Sequence, residues 1–569
     1  MSTPVWGNSE AYRKTFAKFE SPRERYKEIS YTVEEILKSR NVNAGDIDRI
    51  GSVIFRILWN GWLIPATPVL NNFGRDIGLP ISCFGSYIPD SMEGIAKKQS
   101  EVLMMSKMGG GTSCTISDLR PIGSPIKGGK LGTSDGIIPF LKIFDSTIIA
   151  AKQGKEKRGN IGVYLDVNHP ERQEFLKTRD KSSAADPNRM CHNIHHGFNF
   201  DDNFMNSLTE EGSDENRDFF RDVVVTRVET GEPYALFIDN ANNQRPDYWH
   251  EDFNEIKASN LCTEIMLPSD KDHSFVCCLS SLNLAKFDEW KDWSVKIGNT
   301  EFTVPMLACL LLDCVLDEFI TKGKDVYGLD DAVRFAEKCR AIGVGTLGWH
   351  TYLQQHGLPF VSIASTIHTN KVYGFLKQEC DKANNLFAKK FGEPELLKGT
   401  GKRFYTTMAV APNRNSARYA DDVSQGVQPI SSNYYMDDGD IGTYVFKNPK
   451  LESTLVLLDM DTPEVWQSIL DNKGSVQHLN IDESTKEIFL TAREINQLGL
   501  VEQAGVRQKY IDQGQSINLF FPKNAPADFI MLVHYQAWKL GLKSLYYLKS
   551  QSALDADGKA FNECTACEG

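Results

Sequence analysis

The stretch Ser259-Asn260-Leu261-Cys262-Thr263-Glu264 puts an amide, a thiol and a carboxylate at every second position. Side chains of an extended segment alternate faces, so Asn260, Cys262 and Glu264 would share one. A carboxylate there can take a proton from a substrate hydroxyl, and an amide can hold the same region by hydrogen bonds. The thiol could be a nucleophile or a hydrogen-atom donor. Closely downstream runs Val276-Cys277-Cys278-Leu279-Ser280-Ser281-Leu282-Asn283-Leu284. Adjacent cysteines in a strand face opposite sides, so at most one shares a face with a given partner. Far upstream stands Ile81-Ser82-Cys83-Phe84. If Cys83 meets one of the 277/278 pair, the two form a dithiol able to supply two electrons. A second dithiol, Cys564-x-x-Cys567, sits at the tip of a small, polar C-terminal stretch that reads as a flexible tail. It is also half a zinc site, but the tail holds no second ligand pair.

These residues lie in a chain of 569, with 41% hydrophobic and 24% charged residues, ordinary for a globular protein. A net charge of -12 argues against nucleic acid as a primary partner. No signal peptide opens the sequence. The longest apolar run, Met306 to Leu316, is interrupted by Asp313 and too short to span a bilayer, so a cytoplasmic protein without membrane attachment is expected. The twelve cysteines are then not a disulfide framework, and Cys309, Cys314, Cys339 and Cys380 read as core residues in helical patterns.

The elements that must position the thiols follow from periodicity. Residues 10–60 look helical, 159–167 strand-like and 304–320 helical. From Pro65 onward short apolar strands alternate with helices and glycine-rich loops, which argues an α/β barrel or open sheet. Two motifs point elsewhere. Gly343-Val-Gly345-Thr-Leu-Gly348 matches a dinucleotide fingerprint, but it follows a helical pattern and no acid occurs where a ribose ligand belongs, so close helix packing is the better reading. Cys191-His192-Asn-Ile-His195-His196 has metal-type residues, but strand alternation splits them between two faces, and no metal site is expected.

Asn-Leu-Cys-x-Glu followed by Cys-x-Leu-Ser-x-x-Asn-Leu resembles the catalytic core of the ribonucleotide reductase large subunit. Four further segments extend the resemblance over about 60–569: Pro65-Ala-Thr-Pro68; Met108-Gly-Gly-Gly-Thr-Ser113 through Asp118–Ile126; Gln153–Gly159; and Ala411-Pro-Asn-Arg-Asn-Ser-Ala417 with Gln425–Pro429. Leu545-Tyr546-Tyr547 and the terminal cysteine pair complete it. The resemblance implies a ten-stranded α/β barrel of two five-stranded halves with a central finger loop over 61–548. A helical region, 1–60, would precede it without an ATP-cone, and a redox tail, 549–569, would follow. It implies reduction of ribonucleoside diphosphates by thiyl-radical chemistry, with Cys262 as the transient radical. Glu264 would deprotonate the 3′-hydroxyl and Asn260 would hold the sugar. Cys83 and Cys277 would be the redox pair, with Cys278 structural, and Cys564 and Cys567 the shuttle to thioredoxin or glutaredoxin.

Tyr546 and Tyr547 resemble the tyrosine dyad of class I enzymes. They imply a separate small subunit whose metal cofactor generates the radical, with no cofactor on this chain. Thr67, Ser82 and Gly111 would line the substrate pocket. Asn413, Arg414, Asn415 and Ser416 would form the phosphate turn, with Ser416 suited to an N-cap; the family often has a Ser/Thr-rich run at this turn. Asp90, Arg120, Gln153 and Arg158 would bind effector dNTP or ATP at a homodimer interface. The rival readings are an NAD(P)-dependent oxidoreductase using the glycine motif and a non-catalytic nucleotide-binding paralogue.

Overall fold

The computed structural model describes residues 21–151, 159–180, 186–209, 211–439, 442–522 and 524–550. Two helices open it, Pro22–Ser39 and Ala44–Trp59. Each starts on a side-chain cap, Ser21 to the Glu24 amide and Asn43 to the Gly45 amide. Their apolar faces, including Ile29, Val33, Ile54 and Ile57, join the main core.

Strands β1 (Leu63–Pro65), β2 (Cys83–Tyr87), β3 (Gly111–Thr115), β4 (Ile161–Asp166), β5 (His195–Phe200) and β6 (Tyr234–Phe237) lead to the long, wholly buried β7 (Phe275–Asn283). The hairpin β8 (Ser294–Ile297) and β9 (Thr300–Thr303), strand β10 (Ile342–Leu347), the hairpin β11 (Tyr434–Gly439) and β12 (Gly442–Lys447), and β13 (Leu519–Phe521), β14 (Ser544–Leu545) and β15 (Leu548–Ser550) follow. β2 to β6 pair in parallel in chain order. β7 lies antiparallel to β2 and carries β10 in parallel on its other side.

Two extended segments continue that second half. Val344 bridges Met408, and Val410 bridges Gln515, both in parallel. The Tyr546 amide donates to Ile517 O at 2.8 Å, and β13 runs parallel to β15. β14 then closes antiparallel onto β6. Two five-membered parallel halves, joined antiparallel at both seams, thus form the ten-stranded barrel. Closure leaves the ladder no open edge.

The glycine motif belongs to this wall, not to helix packing. Gly343 and Gly345 are in β10, and a Cβ on Gly345 would sit 2.6 Å from Ala409 O. The glycine lets the 406–410 segment approach closely. The space a dinucleotide would need is filled by the next barrel segment. The histidine motif also differs from a full strand, because β5 starts only at His195. Among the described residues no cluster of His, Cys, Asp or Glu is arranged to hold a metal.

Helix Val304–Gly323 is buried along most of its length, as its nearly uninterrupted apolar sequence requires. Asp313 within it is fully buried and meets Arg40, Arg340 and Arg403 at 2.7, 2.6 and 3.2 Å. Burial alone would raise its pKa, but the three guanidiniums outweigh that and hold it below the usual carboxylate range. A satellite core of Tyr434, Leu451, Leu455, Trp466, Ile469, Val476, Leu479 and Phe489 stands apart from the barrel core and was not distinguished in the sequence. No helix of the described residues is long and apolar enough to cross a membrane.

Candidate active site

The segment carrying Cys262 is a loop inside the barrel rather than an extended strand. Ser259 bridges Met266 antiparallel, the Thr263 amide donates to Asn260 O at 3.3 Å, and Thr263 has φ +68°. Alternation is therefore not what groups the side chains; a tight turn folds Asn260 back toward Glu264. Asn260 Nδ2 donates to Glu264 Oε1 at 2.9 Å and to Cys83 Sγ at 3.2 Å. The barrel wall pins the loop from several sides. Tyr164 OH on β4 donates to Asn260 O at 2.6 Å, Ser516 Oγ to Cys262 O at 2.5 Å, and Ser544 Oγ to Thr263 O at 2.7 Å. A Cβ on Gly514 would meet Thr263 O and Glu264 O at 3.2 Å, so glycine there admits the loop.

Cys83 and Cys277 are directly opposed partners across the β2–β7 seam. Opposed residues of an antiparallel ladder have Cα atoms roughly 4.5–5.5 Å apart, within the reach of a disulfide. Both are free thiols here. Cys83 Sγ donates to Glu264 Oε1 at 3.6 Å, and Gln513 Nε2 donates to Cys277 Sγ at 3.4 Å. Cys278 points the other way, donating to Leu312 O at 3.4 Å in the helix behind the sheet. Burial pushes the Cys277 thiol well above its ordinary pKa, so it stays protonated. Glu264 is buried and its pKa is pushed up to about 7 by that burial, partly offset by hydrogen bonds from Ser516 (3.0 Å to Oε2), Asn260 and Cys83. A carboxyl so tuned can hold or release a proton near neutrality.

Tyr546 OH donates to Cys262 Sγ at 3.5 Å. The Tyr546 and Tyr547 ring centroids are 4.3 Å apart, and Tyr234 on β6 packs against both, at 4.9 and 5.2 Å. Tyr234, Gln513 and Ser516 were not singled out from sequence. The polar run Asp512-Gln-Gly-Gln-Ser516, buried from Gln513 onward where a barrel strand would be apolar, was the available signal.

Thr67 starts the short Thr67–Asn72 helix, Ser82 precedes Cys83, and Gly111 opens β3 with its amide on Ser82 O at 2.9 Å. Thr67, Ser82 and Gly111 are buried. The helix after the phosphate turn starts at Arg414, with Asn413 at its N-cap in the left-handed region (φ +60°). Ser416 is therefore inside the helix and does not cap it. Asn413 is committed to the barrel, accepting from Ser281 Oγ at 2.9 Å and donating to Thr346 O at 3.0 Å. Beside this helix opens a cleft of about 290 Å³ with Arg414, Arg418, Asp422, Gln428 and Lys549 on its walls. Asn415 lies in the same short helix. Asp90 and Arg120 form a half-exposed ion pair at 2.8 Å away from the thiols. Gln153, Arg158, Cys564 and Cys567 lie outside the described residues.

A closed α/β barrel whose central loop sets Asn260 and Glu264 against Cys83, itself opposite Cys277, has the architecture of an oxidoreductase. The ribonucleotide reductase barrel-domain model matches residues 81–218, 210–398 and 394–548. The chain belongs to the ribonucleotide reductase family, in the large, catalytic-subunit branch. It is 36% identical to a putative ribonucleoside-diphosphate reductase large subunit of Frog virus 3 over 536 residues, covering 90% of this chain and 91% of that one. It is 32% identical to the ribonucleoside-diphosphate reductase large subunit of Invertebrate iridescent virus 3, covering 92% and 93%. The solved Actinobacillus ureae class Id ribonucleotide reductase alpha subunit superposes with a TM-score of 0.86 at 40% identity, over 97% of this chain and 98% of that one. The glycine-motif dehydrogenase reading has no support in either fold or relatives.

Proposed function

We propose that this enzyme reduces ribonucleoside diphosphates at the 2′ carbon, with Cys262 as the radical-bearing thiol. The observation that carries the reading is the placing of Cys83 opposite Cys277 within reach of the Asn260–Glu264 pair. Cys262, as a thiyl radical, takes the 3′ hydrogen atom of the ribose. Glu264, ionised, accepts the 3′-hydroxyl proton, while Asn260 holds the sugar. Cys83 and Cys277 then deliver two electrons and close into a disulfide as the 2′-hydroxyl leaves as water. Burial holds Cys277 protonated for delivery as a thiol, and the burial of both cysteines keeps solvent from quenching the radical. Arg414, Arg418 and Lys549 give the cleft beside the phosphate turn the charge a diphosphate needs.

The radical arrives through Tyr547 and Tyr546 from a separate small subunit carrying a metal-centred oxidant. The disulfide is cleared by Cys564 and Cys567 and then by thioredoxin or glutaredoxin. Effector nucleotides bind around Asp90 and Arg120 with Gln153 and Arg158, at the interface of a homodimer. The test is CDP reduction with the cognate small subunit and an effector dNTP. Cys262→Ser is expected to remove turnover while effector binding, read by equilibrium dialysis, stays at the wild-type level. Multiple turnovers by that variant would end the radical assignment.

A further inference from the structure

The tyrosine pair does not end at Tyr547. The Tyr547 hydroxyl lies 3.4 Å from Nδ1 of His195, at the start of β5. The same Nδ1 is 2.5 Å from Glu232 Oε1, in hydrogen-bond contact with it. Glu232 is 2% exposed and His195 7%. Arg179 Nη1 contacts Glu232 Oε2 at 3.0 Å and His195 Nδ1 at 3.4 Å. The His196 amide donates to Glu232 Oε2 at 3.1 Å, and its Nδ1 lies 3.3 Å from that oxygen. Tyr234 stacks on His195 at 6.1 Å and 14° and meets Tyr547 edge-on at 5.2 Å. Among the described residues, Arg179, Glu232, His196, Tyr234 and Tyr547 are the titratable or charged groups in contact with His195 or its partner, and the buried Arg227 acts on Glu232 electrostatically. At the other end of the tyrosine pair, Tyr546 reaches Cys262.

A phenol that loses an electron becomes a strong acid, and its proton needs an acceptor in contact. Between Tyr547, Tyr546 and Cys262 the proton can travel with the electron as a hydrogen atom. In the first step the electron leaves for another subunit, so the proton must be taken up separately, and His195 is in contact with the phenol.

We propose that the His195–Glu232 pair stores the phenolic proton of Tyr547 during turnover, an inference that rests on the relay reading above. Tyr547 gives one electron to the small subunit's one-electron oxidant. The proton between His195 Nδ1 and Glu232 Oε1 first settles on Glu232, which frees the Nδ1 lone pair, and the phenolic proton of Tyr547 then enters there. The Tyr547 radical then takes a hydrogen atom from Tyr546, which takes one from Cys262, leaving the thiyl radical and two intact phenols. After product forms, the hydrogen atoms move back. Tyr547 recovers its electron from the small subunit and its proton from Glu232 through His195. Glu232 and His195 thereby act through Tyr547 as positioning and proton-holding residues.

The test is CDP turnover by the complex of this chain with its small subunit. His195→Gln and Glu232→Gln, both close in shape, are expected to slow turnover about 100-fold, the scale of a lost proton acceptor. Each is then repeated with Tyr547 exchanged for a trifluorotyrosine, whose more acidic phenol is first shown by its absorbance to be ionised in place at the assay pH. With no proton to store, the Gln variants should match their His195/Glu232 parent in that background. An equal loss in both backgrounds overturns the proposal, because a folding or docking defect would not depend on the phenol. Wild-type turnover by His195→Gln, alongside an inactive Tyr547→Phe, overturns this proposal alone. A Tyr547→Phe protein as active as wild type overturns the relay reading and the proposal together.

Discussion

Glu264 shows how much one buried side chain sets. Its pKa moves from the ordinary 4.5 to about 7 because burial disfavours the carboxylate. In its proposed role as a base it works only when ionised, so turnover should rise with pH through about 7. Glu264→Gln should lose that limb together with most activity. Stability runs the other way. The folded-state pKa is above the unfolded one, so the native state holds the proton more tightly, and the benefit is lost as pH rises from about 4.5 through 7. By pH 8 the wild type bears on the order of 3 kcal/mol that a neutral glutamine does not. The urea midpoint of Glu264→Gln relative to wild type should therefore increase between pH 5 and pH 8; a constant offset would refute the burial argument. The types Asn, Cys and Glu were legible in sequence because their chemistry is carried by the side chains themselves. Their grouping was not, since it comes from a turn through Thr263 and from Ser516, Gln513 and Tyr164, which are distant in the chain. Strand periodicity has no access to either.

Elements, by contrast, were largely written in local pattern. The helix over 304–320 and the strand within 159–167 appear as Val304–Gly323 and Ile161–Asp166, because an unbroken apolar helix and a short β-rich run each have one comfortable conformation. The glycine motif misled because the same glycines that admit a pyrophosphate also admit a neighbouring strand, and only the 406–410 segment decides between them. Asp313 was visible merely as a break in an apolar run, yet it ties three elements together. It gathers Arg40 after the first helix, Arg340 before β10 and Arg403 before the 406–410 segment. Asp313→Asn would leave these guanidiniums sharing Asp317, which only Arg40 and Arg340 reach. Breaking a buried ion cluster from one side costs about 3–5 kcal/mol. Because the Asp313 pKa is depressed, its contribution is present above the ordinary carboxylate range and disappears as pH falls below it. Chemical denaturation should show the full loss at pH 7 and a shrinking difference toward pH 3. A difference that is flat in pH would mean packing, not charge, holds the helix.

At the scale of the molecule, the barrel solves one problem and creates another. Antiparallel closure of two parallel halves brings Cys83 and Cys277 across a seam, and the loop from 259 to 266 reaches Cys83 from inside through Asn260 and Glu264. Every sulfur of this set is buried, which shelters radical chemistry. The same burial denies a protein-sized reductant access to the disulfide that each turnover would leave. A dithiol carried on a chain end can exchange with it, given a thiolate and a path. If Cys564 and Cys567 serve that purpose, changing both to Ser should leave the first turnover of pre-reduced enzyme intact. With thioredoxin as reductant, product should then stop at about one equivalent per active site, the capacity of one dithiol. A small dithiol such as dithiothreitol, able to enter the barrel, should restore continued turnover to the same variant. Sustained turnover with thioredoxin would mean that the wall opens enough for direct exchange and that the tail is dispensable. Failure of the first turnover would instead place those cysteines in the reduction step itself, against the proposal that assigns it to Cys83 and Cys277.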